Sequence, residues 1–479
     1  MKYFILSTFI FLGFTMVKAQ EEDVVLFGGE KNDFGVSLLE KENSGEIMLL
    51  ASSRSLGSGS SDFLFMSFKK QLLLINEQSY GGTHQDLPGN IIKGKEDEYI
   101  LFGSSYDFEV GGLNYNITKV DAFGNFISRK ILYQVNVDVG SKILKSEDGN
   151  YVIVGMAGGD NSYGQTKFYK INEQGEILLE KDFGAAQVRD YGFDILENDS
   201  GFLLLSTNYC EIGLSAAFGG FSQQSDVSVL QLDQEGNVLW EYSYQGDDYD
   251  YAFSFVQSED HIFVAMNSRS EGAQSFDIRV LKLNLQGELI DSYDFGGPGF
   301  EYAYRIIEDS NSDLLICGTT SSEVERPSFY AFKITQEGEL LWTRTIEKDA
   351  SIYAYDVIER SSGDFIFTGK YAHNIDNSDI FLLELDKQGQ IIFQSSQSEI
   401  DDVVVFPNPS QGNFTIYQGN NSIEEIWIYN IAGELVYKRI QNGNSLYTSL
   451  DLNFLEKGIY IISLIKENGG SIQKKITFY

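Results

Sequence analysis

An all-β chain, a seven-bladed β-propeller followed by a small immunoglobulin-like β-sandwich, is the fold class that three features of the sequence predict. The first is composition: 47 Gly, 28 Tyr and 35 Phe stand beside only 5 Pro in 479 residues, the profile of many short strands joined by glycine turns. The second is a repeat. Turns of the form apolar, Asn/Asp/Thr, two residues, Gly read VDAFG at 120, INEQG at 171, LDQEG at 232, LNLQG at 283, ITQEG at 334 and LDKQG at 385. Their glycines, Gly124, Gly175, Gly236, Gly287, Gly338 and Gly389, recur every 51 residues apart from a ten-residue insertion in the fourth unit. The third is a break: from Asp401 the period stops and seven short strand-like runs of a different pattern follow.

The elements follow in order. MKYFILSTFIFLGFTMVKAQ has a basic Lys2, an apolar run too short for a bilayer span and small residues at a cleavage point, so residues 1–19 are expected to be a signal peptide with Gln20 as the new terminus. No Cys stands immediately after that point, which argues against a lipid anchor, and no other stretch is apolar enough to be a transmembrane segment. Residues 20–396 form the repeat region. Each unit contains four strand patterns, as in YAFSFVQ, HIFVAMN, DIRVLKL and ELIDSYDF of the fifth. Four strands in about 50 residues describe a propeller blade, a sheet that covers its faces only by stacking on its neighbours. Including residues 26–79, whose turn FKKQL is degenerate, there are seven units. Closure is left open: VVLFGG completes the last blade, or IIFQSS does, with an eighth blade built from partial strands as a minor alternative. Cys210 and Cys317 lie in units that are not adjacent, so two idle thiols are expected rather than a disulfide.

Residues 20–400 hold 27 basic and 62 acidic groups, whereas the segment from Asp401 holds six and eight. The acidity belongs to the repeats. It repels phosphate backbones and anionic lipid, which argues against nucleic acid and direct membrane adhesion as partners. Carboxylates leave calcium as the one candidate ion, but no D-x-D-x-D-G loop is present, and no cofactor is expected.

In a four-stranded antiparallel blade the turns between strands one and two and between three and four share one face, and here they are tight. The connections between strands two and three, such as SSYDFEVGGLN, NYCEIGLSAAFGGFSQQS and KYAHNIDNS, crowd the other face with the blade linkers. Binding is expected on that rim, with Tyr106, Phe108, Tyr163, Tyr209, Phe218 and Phe221 as aromatic and Asp247, Asp248 and Asp250 as acidic candidates. Aromatic rings beside Ser, Asn and Asp suit a glycan or a peptide. His84 and His373 fall on this face and His261 on the opposite one, so the three cannot share a metal. No G-x-S-x-G elbow, H-E-x-x-H helix or Walker loop occurs.

Strand-four segments such as LDQEGNVLWEYSYQG and ITQEGELLWTRT resemble the repeats of bacterial secreted propellers over residues 24–396. WD, kelch and sialidase signatures are absent. After a linker at 397–402, residues 403–479 carry a more specific likeness. Pro407-Asn408-Pro409, Gly412-Asn413-Phe414, the IYNIAGELV segment with Gly433, Gly458-Ile459-Tyr460 and the closing Lys474-Lys475 resemble the type A sorting domain of the type IX secretion system. That resemblance implies transfer to the periplasm, recognition of residues 401–479 by the outer-membrane translocon and removal by a sortase, with the cargo released or attached at the cell surface. The expected function is a non-enzymatic secreted propeller binding a glycan, peptide or surface partner. A hydrolase or lyase with an acidic site on the propeller face is the alternative, and an adhesin or spacer a further one.

Overall fold

The computed structural model describes residues 17–478 except 22–23, 43, 70–71, 96, 107–111, 133–137, 159–163, 185–189, 209–224, 247, 271–274, 393–402, 407–411, 419–420, 441–446 and 468. Lys18–Phe393 is one compact unit and a second begins at Gln394. The first is a seven-bladed propeller. Blade five shows the plan: Asp250–Gln257, His261–Ser268, Asp277–Asn284 and Leu289–Phe295 pair in chain order, all antiparallel. The first strand of every blade is innermost, and each packs against the next until Ser351–Glu359 of blade seven meets Asp33–Glu40 of blade one. The ring closes through the N-terminal strand. Val24–Phe27 pairs with Ser378–Leu385 as the outer strand of blade seven, with Val25 opposite Leu382 and Phe27 opposite Ile380, and Val17–Glu21 lies outside it. Of the closures the sequence allowed, the one through VVLFGG is used.

The repeated turn fastens the outer rim for two local reasons. Its Asn, Asp or Thr oxygen takes the amides two and four residues on, as Asp233 Oδ1 does from Glu235 and Asn237 at 3.0 and 2.7 Å. Its glycine adopts positive φ, +82° at Gly287 and +80° at Gly338, and sits so close to the previous blade that a Cβ there would run into Trp240 or Tyr293. The Trp240 and Trp342 indoles then donate to Leu285 and Lys387 carbonyls of the following blade at 3.2 and 3.1 Å.

The inner rim is fastened by a β-bulge at one position in all seven first strands: Val36, Gly89, Ser141, Phe193, Phe253, Tyr304 and Tyr355 are the extra residues. The residue after each bulge reaches a neighbouring blade. Ser37 Oγ accepts from Ile91 N at 3.4 Å, Asn90 Oδ1 from Ile143 N at 2.9 Å, Ser254 Oγ from Ile306 N at 3.3 Å and Asp356 Oδ2 from Leu38 N at 2.7 Å, the last across the closing junction. Elsewhere charges serve: Lys142 Nζ lies 2.9 Å from Asp194, and Arg305 bridges Asp194 and Asp356 at 3.2 and 3.3 Å. Burial and the nearby Arg305 guanidinium pull the Lys142 amine down, and burial pushes the Asp356 carboxyl up.

The tail is a two-sheet sandwich. Val404–Phe406, Asn413–Tyr417 and Tyr447–Asp451 form one sheet, while Leu435–Ile440, Ile423–Asn430, Gly458–Lys466 and Ser471–Phe478 form the other. Ile426 and Ile428 point into the core with Phe414, Ile462 and Ile476, as the alternation with Trp427 and Tyr429 predicts.

Buried acids start most inner strands and, at Asp62, the third strand of blade one. Asp62 is pushed up to about 6 by burial and by Asp86 beside it, and Asp138, both of whose oxygens lack a hydrogen-bond partner among the described residues, to about 7 by burial. A raised folded pKa means that the native state holds the proton more tightly. The stability these groups contribute is therefore complete below the unfolded value, about 4, and is lost as pH rises through 6 and 7. Thermal melts are expected to show Tm falling over that window, and the Asp138→Asn variant to flatten the fall. An unchanged profile in that variant would contradict the assignment.

Candidate functional site

On the face that carries the linkers and the strand two to three loops, blades five, six and seven enclose a cavity of about 540 Å³. Its wall is an aromatic repeat. Tyr251 and Phe253, Tyr302 and Tyr304, and Tyr353 and Tyr355 occupy matching places on three successive inner strands. The second of each pair is the bulge residue, so the bulge turns its ring into the central channel. Phe193, Phe253, Tyr304 and Tyr355 stand in series, 4.9, 5.5 and 4.9 Å between centroids. Blades one to three offer Val36, Gly89 and Ser141 at this level, which leaves room for those rings. Phe253, Tyr304 and Tyr355 also line a second cavity of about 460 Å³ that contains Lys142, Asp194, Arg305 and Asp356. The aromatic layer thus partitions the channel.

Polar groups enter from blades six and seven: Arg326 from a strand two to three loop, Ser351 from the start of an inner strand, Lys370 from the second strand of blade seven, and His373 and Asn374 just beyond it. His373 Nε2 lies 2.7 Å from Asp379 Oδ2, whose side chain is wholly buried while the imidazole is about one-third exposed. A carboxylate on one ring nitrogen fixes the imidazole and leaves Nδ1 to face a ligand. Asp379 sits at the ring seam. Its neighbour Ser378 bonds Asn32 and the Asp33 carbonyl, and Asn32 Nδ2 donates to the Ile375 carbonyl of the histidine loop at 3.2 Å. Burial lowers the Lys370 amine and raises the Tyr302 and Tyr353 phenols. Among the described residues the basic side chains of the lining are those of Arg326, Lys370 and His373, and no carboxylate lines it.

Of the rim residues expected from sequence, the three that are described, Tyr106, Asp248 and Asp250, are not among the residues lining this pocket. Tyr106 is exposed at the end of a strand in blade two, its ring 5.8 Å from that of His84. Asp248 accepts from the Tyr249 amide at 2.8 Å. Asp250 is a correction: it is fully buried and accepts from Ser270 Oγ at 2.7 Å, a fastening of the linker rather than a surface ligand. Phe108, Tyr163, Tyr209, Phe218, Phe221 and Asp247 lie outside the described residues, as do Cys210, Pro407, Asn408 and Pro409. In the tail, Phe414 and Tyr460 are buried, Gly412 and Gly433 have φ of +127° and +81°, and Gly458 opens the strand paired with the one carrying Lys474 and Lys475. The site residues that sequence reasoning missed left one signal, DYAFS, EYAYR and IYAYD at equivalent places in three units.

Residues 404–478 match the family described as Secretion system C-terminal sorting domain. Two curated relatives are an ulvan lyase of Nonlabens ulvanivorans, 28% identical over 28% of this chain and 25% of its own length, and an endo-acting ulvan lyase of Formosa agariphila, 26% identical over 38% and 31%. The chain therefore spans between a quarter and a third of those relatives. Among solved structures, the β-propeller domain of the Trilobed protease from Pyrococcus furiosus covers 76% of this chain and 99% of its own (TM-score 0.44, 12% identity), and the Neurospora crassa Pan2 WD40 domain covers 76% and 97% (0.43, 10%). The lyases overturn the expectation of a non-enzymatic binding module. That expectation rested on missing nucleophile, zinc and phosphate motifs, none of which an elimination requires. The tail is a type IX secretion sorting domain, and it directs the chain to the cell surface or the extracellular space.

Proposed function

We propose that the chain is a secreted polysaccharide lyase acting on an acidic polymer at the aromatic pocket of blades five to seven. One observation carries the reading: within a repeat region holding 62 acidic and 27 basic groups, the described lining of the pocket carries Arg326, Lys370 and His373 and no carboxylate. Such a mouth favours a polyanion locally against the field of the whole chain. The pocket differs from the acidic site imagined for the enzymatic alternative. The relatives' names support cleavage by elimination.

Elimination beside a uronate carboxyl needs three things: neutralisation of the carboxylate, a base for the proton on the adjacent carbon and a donor for the departing glycosidic oxygen. As the base takes the proton, its electron pair forms the C=C bond and the C–O bond breaks; no water is added. Lys370 and Arg326 supply the positive charge. His373, held through Nε2 by Asp379, presents Nδ1 as the base. Tyr302 or Tyr353, kept protonated by burial, supplies the departing oxygen with its proton.

The full chain incubated with ulvan or another uronate polymer is expected to generate ultraviolet-absorbing double bonds in step with new reducing ends. Replacing His373 by Ala is expected to lower kcat roughly 10²–10⁴-fold. Reducing ends without double bonds would indicate hydrolysis and overturn the reading. A further outcome follows from the lowered Lys370 amine: at about pH 8 it should acylate ahead of exposed lysines, and bound polymer should protect it. Equal labelling with and without polymer would count against its place in the site.

A further inference from the structure

The aromatic wall does not stop at the pocket. Phe276, at the end of the strand two to three connection of blade five, lies 5.3 Å from Tyr251 and 5.2 Å from Tyr302 between ring centroids, and both of those rings line the cavity. On its far side is Arg269, whose guanidinium carbon is 5.5 Å from the Phe276 ring and 5.4 Å from that of Tyr249. The cation is thus clasped between two rings at the outer end of a shelf that begins in the pocket. Among the described residues, Asp248 is the acid within reach, and its Oδ2 stands 3.8 Å from Arg269 Nη2, well beyond the about 2.7–2.9 Å of a charge-assisted hydrogen bond. The buried Arg269 Nε has no hydrogen-bond partner among the described residues. The side chain as a whole is 38% exposed, so a guanidinium whose plane is already set by stacking offers its terminal N–H groups to a carboxylate or a sulfate.

We propose that Arg269, with Tyr249 and Phe276, forms a distal subsite for an acidic group of the same polysaccharide that is cleaved at the pocket, an inference that rests on reading the pocket as a polysaccharide site. A sugar unit held there continues along Phe276 and Tyr302 to His373, so several units of one chain are gripped at once. The contribution of this subsite falls on long anionic chains and not on neutral ones.

Affinity electrophoresis of the full chain through gels containing ulvan or neutral dextran tests this without depending on cleavage. Ulvan is expected to retard the parent protein and dextran is not; Arg269→Ala is expected to weaken retardation about tenfold, and Arg269→Lys, a point charge without the fork, to restore only part of it. If Arg269→Ala lowers Tm, Arg269→Gln, which keeps the stem between the rings, takes its place. Retardation equal to the parent in either neutral variant would overturn the proposal, as would a parent that ulvan does not retard. Arg269-dependent retardation in a protein that cleaves no polymer would uphold the subsite and remove the lyase reading instead.

Discussion

A bulge repeated at one level of seven inner strands is the constraint on which the rest of the propeller depends. A bulge unpairs one residue and turns the strand; seven of them at equal height give a ring in which each inner strand presents backbone donors sideways. Buried donors require partners, and the side chain following the bulge provides them. Asp356 taking the Leu38 amide at 2.7 Å performs at the closing junction what Asn90 and Ser254 perform within the series. Where a hydroxyl or amide is replaced by a charge, the Lys142, Asp194, Arg305 and Asp356 group is balanced, two cations against two anions, which limits the penalty of burying them.

The same bulge builds the site. Because the extra residue projects into the channel, the identities at seven positions decide what the channel contains. A valine, a glycine and a serine on blades one to three and four rings on blades four to seven make a floor off the ring axis, and the pocket opens above the rings. The histidine that faces this pocket is held by a carboxylate on the strand to which Val24–Phe27 is bound. Closure of the ring and shaping of the site therefore share one seam, around Asn32, Asp33, Ser378 and Asp379. Acidity elsewhere on the repeats gives contrast to the basic lining, since exposed charges beyond roughly 10 Å are screened while those in the pocket are not.

Much of the fold was legible because a local rule repeats. The spacing of Gly124 to Gly389 set the blade period, and the close approach of Trp240 and Tyr293 explains why glycine is required there. Alternation in IWIYN placed Ile426 and Ile428 in the core of the tail. Closure was not legible, since VVLFGG and IIFQSS have the same strand character and only pairing across more than 350 residues distinguishes them. The site was hidden for a related reason. Arg326 and His373 meet through the rotation between neighbouring blades, not through spacing within one. Asp250 shows the opposite failure: an acid in a polar linker reads as surface, yet linker amides and hydroxyls need a buried acceptor.

Native-state hydrogen exchange addresses the central claim most directly, by following the Leu38, Ile91, Ile143 and Ile306 amides in the intact chain. If interblade bonding at the bulge holds the ring together, these four should exchange only through global unfolding, far more slowly than amides of the outermost strands. Exchange at outer-strand rates while the blades stay folded would contradict that account.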